Sequence, residues 1–598
     1  MVRTPLIALA LVCLAACTRT PESAPPAADP TSLRKLSTGA VIGFANASGG
    51  QSWLGIPYAA PPVGELRWRA PRPATAWATT REALRAGSPC IQYGSPLGGV
   101  GEAGSRQGSE DCLYLNVYAP RLDPDDVAAA RLPVMVWIHG GGNTVGHAAF
   151  YDGQVLAARE RVIVVMLNYR LGPFGWFAPP ENPLLAANGV DPDLSGNYGN
   201  LDTIAALRWV EANAAAFGGD PQNVTVFGES AGGTNALALL VAPAAEGLFD
   251  RLIVQSLGFG FARTPTAESA VSTPSILRKL LVTAGRAADA SAADRLADTM
   301  SPAEQSAFLR SLDPWMVYGA FRGRDAEFDR VPTVFQDGTI IRRGDLRELL
   351  ENPATHIDVP VILGTNRDEP KIFMAFDRSL VRSAAGLPFA LRDAAAYDRE
   401  ARYRSLLWKA DGVDSVAERL ARNGAPAWAY RWDWDEQGKA FGFVDLSRIV
   451  GAAHGLEIPF VLGFFDLGPQ SELLFHDDNA AGRLELSSRM MAYWASFARD
   501  GRPGRGSDGR GPEWSPWNAD EKAPRMIVFD TAAGGGVRME RSAVTRETVL
   551  AEMERETLGA NERCELFRAT FRNRGDDWAD AAWRRFAGGT CRGQRVGS

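Results

Sequence analysis

Val224-Thr225-Val226-Phe227-Gly228-Glu229-Ser230-Ala231-Gly232 is the stretch from which the fold can be read. Asn223–Phe227 is apolar and β-branched, as a buried strand should be. Gly232–Val241 is a run of small and apolar residues that reads as a helix. Between them lies Gly-x-Ser-x-Gly, a pattern that alone is common by chance and that a surface turn can also contain. A strand directly before it and a helix directly after it force the chain into a tight elbow with the Ser230 hydroxyl exposed. The flanking glycines are required because side chains would clash where strand and helix cross.

Similar apolar runs lie on both sides: Leu132–Ile138, Val162–Leu167, Leu252–Gln255, Val359–Leu363 and the aromatic-rich Ala427–Trp434. Leu201–Phe217 carries apolar residues at helical spacing. Strands alternating with helices predict an α/β doubly wound, mostly parallel sheet. The polar, helix-forming stretches 262–350 and 370–425 fall between core strands and are expected to be inserted cap helices. Leu54–Arg72 is turn-rich and does not read as a helix.

The 598 residues are 46% hydrophobic and 22% charged, which excludes a disordered, collagenous or coiled-coil chain. The net charge of −7 is spread along the length without a basic stripe, so nucleic acid is not an expected partner. Met1–Ala16 has one positive charge, Arg3, and a short apolar run that ends in Leu14-Ala15-Ala16-Cys17. This resembles a lipoprotein signal with Cys17 as the lipid anchor; an ordinary cleaved secretory signal is the alternative. Thr18 follows the cysteine where Asp would otherwise favour inner-membrane retention, so an outer-membrane or periplasmic lipoprotein of a Gram-negative bacterium is expected. Residues 17–34, rich in Pro, Ala and Ser at their start, are expected to form a flexible tether. Membrane contact is expected only through Cys17, and nothing in the sequence indicates an oligomeric state.

A serine hydroxyl needs a base to become a nucleophile. The five histidines are His139, His147, His356, His454 and His476. If the chain order is Ser, then acid, then His, the first two are excluded and three remain. The acid should sit at a strand end between serine and base, where Asp368 and Glu369 are adjacent. Residue chemistry does not choose between them. His139-Gly140-Gly141-Gly142 follows a strand, and its side-chain-free backbone can point N–H groups at a developing oxyanion. Ala231, directly after the serine, supplies another such N–H. Two other patterns carry no site. Gly99–Gly104 fits G-x-G-x-x-G but follows no strand, and Asp433–Glu436 lacks a supporting metal-ligand spacing. No cofactor or metal is expected.

Two long segments resemble the type-B carboxylesterase family, which includes the cholinesterases. They are Phe217–Pro221 continuing through Val224–Gly232, and Glu110-Asp111-Cys112-Leu113-Tyr114-Leu115-Asn116-Val117-Tyr118-Ala119-Pro120. Gly55–Ala59, Asn168–Gly172 and Gly199–Asp202 support the likeness. It implies an α/β-hydrolase fold over residues 35–545, with 546–598 as a C-terminal extension. It also implies a serine carboxylesterase acting on a small-molecule ester through an acyl-enzyme. Ser230 is then the nucleophile, Glu369 the acid, His454 the base, and Gly141, Gly142 and Ala231 the oxyanion donors, with Glu229 lining the pocket. A lipase, or a relative without catalysis, is the alternative reading. The resemblance pairs Cys90 with Cys112, a crosslink worth about 3 kcal/mol by loop closure. Cys564 with Cys591 would close a similar C-terminal loop. The loop between Cys90 and Cys112 has no Trp for cation–π binding of choline; Tyr93 is its one aromatic residue. Two positions depart from the family: Pro370 follows the acid where Gly is usual, and Leu257 replaces the Gly of Gln-Ser-Gly.

Overall fold

The computed structural model describes residues 25–95, 98–181, 191–257, 273–322, 334–384, 387–468, 471–518, 520, 522–571, 577–586 and 591. The signal and Cys17, and the cap segments 262–272 and 323–333, lie outside these residues. Eleven strands form the main sheet. In chain order they are β1 Phe44–Ala45, β2 Gln51–Pro57, β3 Tyr114–Ala119, β4 Leu132–Ile138, β5 Ile163–Leu167, β6 Gly219–Glu229, β7 Arg251–Gln255, β8 Val361–Asn366, β9 Ala427–Trp432, β10 Met526–Phe529 and β11 Arg538–Glu540. Their spatial order is β1-β2-β3-β5-β4-β6-β7-β8-β9-β10-β11. All neighbours from β5 to β10 run parallel, and the antiparallel pairs lie at the two edges.

The continuous apolar runs reflect burial on both faces. Along β4, Val134, Val136 and Ile138 enter one core while Met135 and Trp137 enter the other. The first core is covered by α1 (Tyr198–Asn213) and α2 (Ala231–Leu240). The cap helices α3 (Thr273–Thr283), α4 (Ala290–Thr299), α5 (Pro302–Ser311) and α6 (Pro314–Phe321) share that core through Ile276, Ala293, Leu309 and Val317. The second core lies under α10 (Ala480–Asp500), through Met490, Trp494 and Phe497.

Two expectations are corrected. The stretch 370–425 is not wholly helical. After α7 (Lys371–Met374) it forms a hairpin, Val381–Ala384 with Leu387–Leu391, before α8 (Ala394–Lys409), a π-helical turn Ala410–Asp414 and α9 (Ser415–Arg422). The two arms pair antiparallel, Val381 opposite Leu391 and Arg382 opposite Ala390, so extended backbone replaces helix there. The expectation of a tether over residues 17–34 also does not hold at its far end, residues 29–34 being hydrogen-bonded to the body of the chain. Asp29 N–H donates to the Gly43 carbonyl, Trp53 Nε1 to the Ser32 carbonyl, and the buried Arg34 to Gln51 Oε1 at 2.9 Å. Polar groups on the edge of the sheet thus bind this segment.

Both disulfides are formed, Cys90–Cys112 and Cys564–Cys591. The extension supplies α11 (Arg546–Arg555), α12 (Ala560–Phe571) and α13 (Asp577–Arg585), which pack their apolar residues onto Tyr403 and Leu407 of α8.

The elbow is held by close backbone packing. A Cβ on Gly228 would lie 2.6 Å from the Gly232 carbonyl oxygen, and one on Gly232 would collide with the Ile138 carbonyl oxygen at the end of β4. The β4–β6 ladder leaves no room for relaxation. Gly232→Ala is therefore expected to cost more than about 3 kcal/mol, in the range of severe core overpacking. Chemical denaturation checks this; a loss under about 1 kcal/mol would contradict the crossing described.

Candidate active site

Ser230 is the one residue between β6 and α2, with φ 56° and ψ −120°. Strain of this kind persists only where surrounding structure enforces it. Here the Ser230 N–H donates to the Gln255 carbonyl at the end of β7 (3.0 Å), and its own carbonyl accepts from Thr234 N–H (2.9 Å). The hydroxyl-bearing side chain is left partly exposed at the carboxyl ends of the parallel strands.

Glu369 follows β8 and His454 lies in the loop before Ile458–Leu462. They are 85 residues apart, yet His454 Nδ1 and Glu369 Oε2 are separated by 2.6 Å. The carboxylate is fully buried, and its other oxygen accepts from Thr365 Oγ1 (2.8 Å) and Asn366 N–H (2.7 Å). Its orientation is therefore fixed from the strand side. Asp368 does something different. Held below the usual carboxylate range by Lys371 and Arg367 against the cost of burial, it accepts from Ala452 N–H at 3.1 Å. Asn366 Nδ2 donates to the Ala453 carbonyl (2.8 Å), so two side chains tie the acid loop to the histidine loop. Pro370 opens α7 at φ −75°, a position that accepts proline without losing a helix bond.

The other ring nitrogen, His454 Nε2, is 3.1 Å from Glu229 Oε1. This is a charge contact without hydrogen-bond alignment: Glu229 Oε1 is buried and has no hydrogen-bond partner among the described residues. Burial pushes Glu229 up to about 8. Burial disfavours the His454 imidazolium, but Glu229, Glu369 and the Glu369 hydrogen bond outweigh it and raise His454 to about 9. A third carboxyl, Glu457, is fully buried nearby. It takes hydrogen bonds from Asn366 Nδ2 (2.6 Å) and Gln255 Nε2 (3.2 Å). Phe373 and Trp408 flank the imidazole, with ring centroids 5.6 and 4.9 Å away.

The glycine loop lies beside the serine. A Cβ on Gly140 would sit 3.2 Å from Ser230 Cβ. Gly141 and Gly142 have φ of 91° and 62°, and Asn143 continues the left-handed run at 61°. Ala231 is the first residue of α2, where helix N–H groups lack intrahelical partners. His139 is buried, held low at about 3 by desolvation, and stacks on Tyr169, so it is a neutral structural residue. His356 bonds the Leu349 and Asn352 carbonyls, and His476 the Gln437 carbonyl, both away from the elbow. Leu257 is buried and fits because Gly412 of the π-helical turn faces it; a Cβ there would be 3.4 Å from Leu257 Cβ. Glu457, Trp408, Phe373 and the side chains that hold the glycine loop carry no motif that marks them in sequence. Only the tertiary packing gathers them.

A strained serine elbow and a buried Glu–His pair at the carboxyl ends of a mostly parallel sheet define an α/β-hydrolase. The profile of the carboxylesterase family matches residues 30–401 and 392–543, and the chain belongs to that family. It is 35% identical to a para-nitrobenzyl esterase of Bacillus subtilis (strain 168) over 76% of this chain and 87% of the relative. It is 33% identical to a fumonisin B1 esterase of Sphingopyxis macrogoltabida over 85% of this chain and 88% of the relative. Among solved structures, a PNB esterase superposes with TM-score 0.62 at 29% identity, and a carboxylesterase of Geobacillus stearothermophilus with 0.63 at 28%. Each covers 85% of this chain and 97% of the neighbour. The chain is accordingly a carboxylic ester hydrolase of the serine type.

The charge around His454 sets a pH test. A raised histidine must lose its proton before it can act as a base, so kcat/KM should climb with pH through a value above the ordinary 6.5. Glu229→Gln removes a charge that favours the imidazolium, and the rising limb should move to lower pH. A limb that stays in place or moves upward would contradict the contact between Glu229 and His454.

Proposed function

We propose that Ser230, His454 and Glu369 hydrolyse a carboxylic ester through an acyl-enzyme. Ser230 Oγ attacks the ester carbonyl carbon as its proton passes to His454 Nε2. Glu369 fixes the ring through Nδ1–H and stabilises the imidazolium. The N–H groups of Gly141, Gly142 and Ala231 bind the oxyanion of the tetrahedral intermediate. Collapse expels the alcohol, which takes the proton from Nε2. Water then attacks the acyl carbon, giving its proton to His454, and the acid leaves as Ser230 Oγ recovers that proton. No cofactor enters these steps. The observation that carries the reading is the 2.6 Å contact between Nδ1 and Oε2, made by a carboxylate whose other oxygen is fully engaged.

The substrate class we infer is a neutral ester with an aromatic or other apolar moiety. Trp408 and Phe373 beside His454, and the bulk of Leu257 where relatives carry Gly, support this choice. We further propose export and anchoring by a lipid on Cys17, on the strength of Leu14-Ala15-Ala16-Cys17. Cys17→Ser should then move the enzyme from the membrane to the soluble fraction of fractionated cells; unchanged membrane association would reject the anchor.

With a nitrophenyl ester, Ser230→Ala should lower kcat by a factor on the order of a million. Glu369→Gln, which leaves the imidazole without its orienting charge, should cost roughly ten-thousand-fold. Wild-type turnover by either variant would reject the assignment.

A further inference from the structure

The glycine loop of the active site is conformationally expensive. It runs through the left-handed region at Gly141, Gly142 and Asn143 and again at Gly146, whose φ is 114°. Donors that act by preorganisation lose their value if such a loop relaxes. Its first end is held by Tyr169 Oη, which donates to the His139 carbonyl at 2.6 Å. Its middle is held at Asn143, whose side-chain oxygen accepts from Asn235 Nδ2 (2.9 Å) and whose carbonyl accepts from Gly172 N–H (2.7 Å).

The far end is held differently. Gly146 has both backbone groups bound by one side chain. Its N–H donates to Gln92 Oε1 and its carbonyl accepts from Gln92 Nε2, each at 2.9 Å. Gln92 is fully buried, and its Nε2 also donates to the Cys90 carbonyl at 3.1 Å. Gly146 also packs closely against the start of the loop: a Cβ there would be 2.5 Å from His139 Nδ1 and 3.1 Å from the Gly140 carbonyl oxygen. The loop therefore closes on itself, and a shift at Gly146 reaches the residue before Gly140. Gln92 in turn is two residues from Cys90, in a short ladder with Arg106–Gln107 and inside the loop closed by Cys90–Cys112.

We propose that Gln92 is a positioning residue for the oxyanion donors, and that the Cys90–Cys112 loop serves to deliver its amide to Gly146. An amide side chain suits this role because it offers an acceptor to the N–H and a donor to the carbonyl of one residue at once. The inference rests on the reading of Gly141 and Gly142 as oxyanion donors. Gln92 touches neither substrate nor Ser230, so its effect should fall on the transition state and not on ground-state binding or on His454.

The test compares Gln92→Met, similar in length without either hydrogen bond, with Gln92→Glu, which keeps the acceptor and lacks the donor. Turnover is expressed per site titrated with a fluorophosphonate, so an unfolded fraction does not count. Gln92→Met should lower kcat by about 10- to 100-fold, as expected for a donor displaced by a fraction of an ångström. KM should stay within about 3-fold, since uniform binding is untouched. A trifluoromethyl ketone forms a hemiketal on Ser230, with its former carbonyl oxygen as the oxyanion; its affinity should fall by the same factor as kcat/KM. The rising pH limb should not move. Gln92→Glu should show the same pattern, and it decides the question if the Met variant does not fold. Wild-type kcat per site in either folded variant would overturn the proposal. So would a kcat loss with unchanged ketone affinity or with a shifted limb. If Ser230→Ala is inactive while Gln92→Met keeps full turnover, this inference fails and the assignment of Ser230 stands.

Discussion

The active site depends on the crossing of β6 and α2 over the end of β4. Two backbones approach there more closely than any side chain allows, which is why Gly228 and Gly232 flank the serine. The crossing sets φ 56° at Ser230 and leaves its side chain at the rim of the sheet. The same approach brings Gly140 to Ser230, so serine and glycine loop are positioned by one contact. The loops carrying Glu369 and His454 are then aligned from β8 and its neighbours. The remainder of the chain supplies the two cores that keep these strands parallel and in register.

Charge balance at the site is unusual in one respect. One imidazole faces Glu369 and Glu229, with Glu457 close behind, and all three carboxyls are buried. They cannot all be ionised without strong repulsion. The differences in hydrogen bonding separate their roles. Glu369 accepts from Thr365 and Asn366 and points at Nδ1, and Glu457 accepts from Asn366 and Gln255. Glu229 has an oxygen without a hydrogen-bond partner among the described residues, and burial raises its carboxyl to about 8.

Much of this is legible in the sequence because it is local. The β4 run Leu132–Ile138 reads to the residue, since continuous burial on both faces leaves an uninterrupted apolar signal. The elbow reads from its glycines, whose steric reason is local too. The choice between Asp368 and Glu369 is closed to residue chemistry and is made in the sequence only by the family resemblance, which implies Glu369; the fold has Glu369 meet Nδ1 and Asp368 the Ala452 N–H. The paired arms Val381–Ala384 and Leu387–Leu391, inside an otherwise helix-forming stretch, escape a sequence reading because Leu391 packs against the second core, whose residues are distant in sequence. Gln92 is invisible for the same reason, its partner Gly146 being 54 positions away. The ordered segment from Asp29 to Arg34 shows how a Pro-rich start can mask the point where polar pairing with a sheet edge begins.

The most direct measurement is covalent. The purified enzyme is treated with a fluorophosphonate, and the adduct is located by intact mass and peptide mapping. A phosphonyl group should attach once per chain, on the peptide carrying Gly228-Glu229-Ser230-Ala231-Gly232, and be absent from Ser230→Ala. Stoichiometric labelling at another residue, or undiminished labelling of the Ser230→Ala protein, would contradict the account.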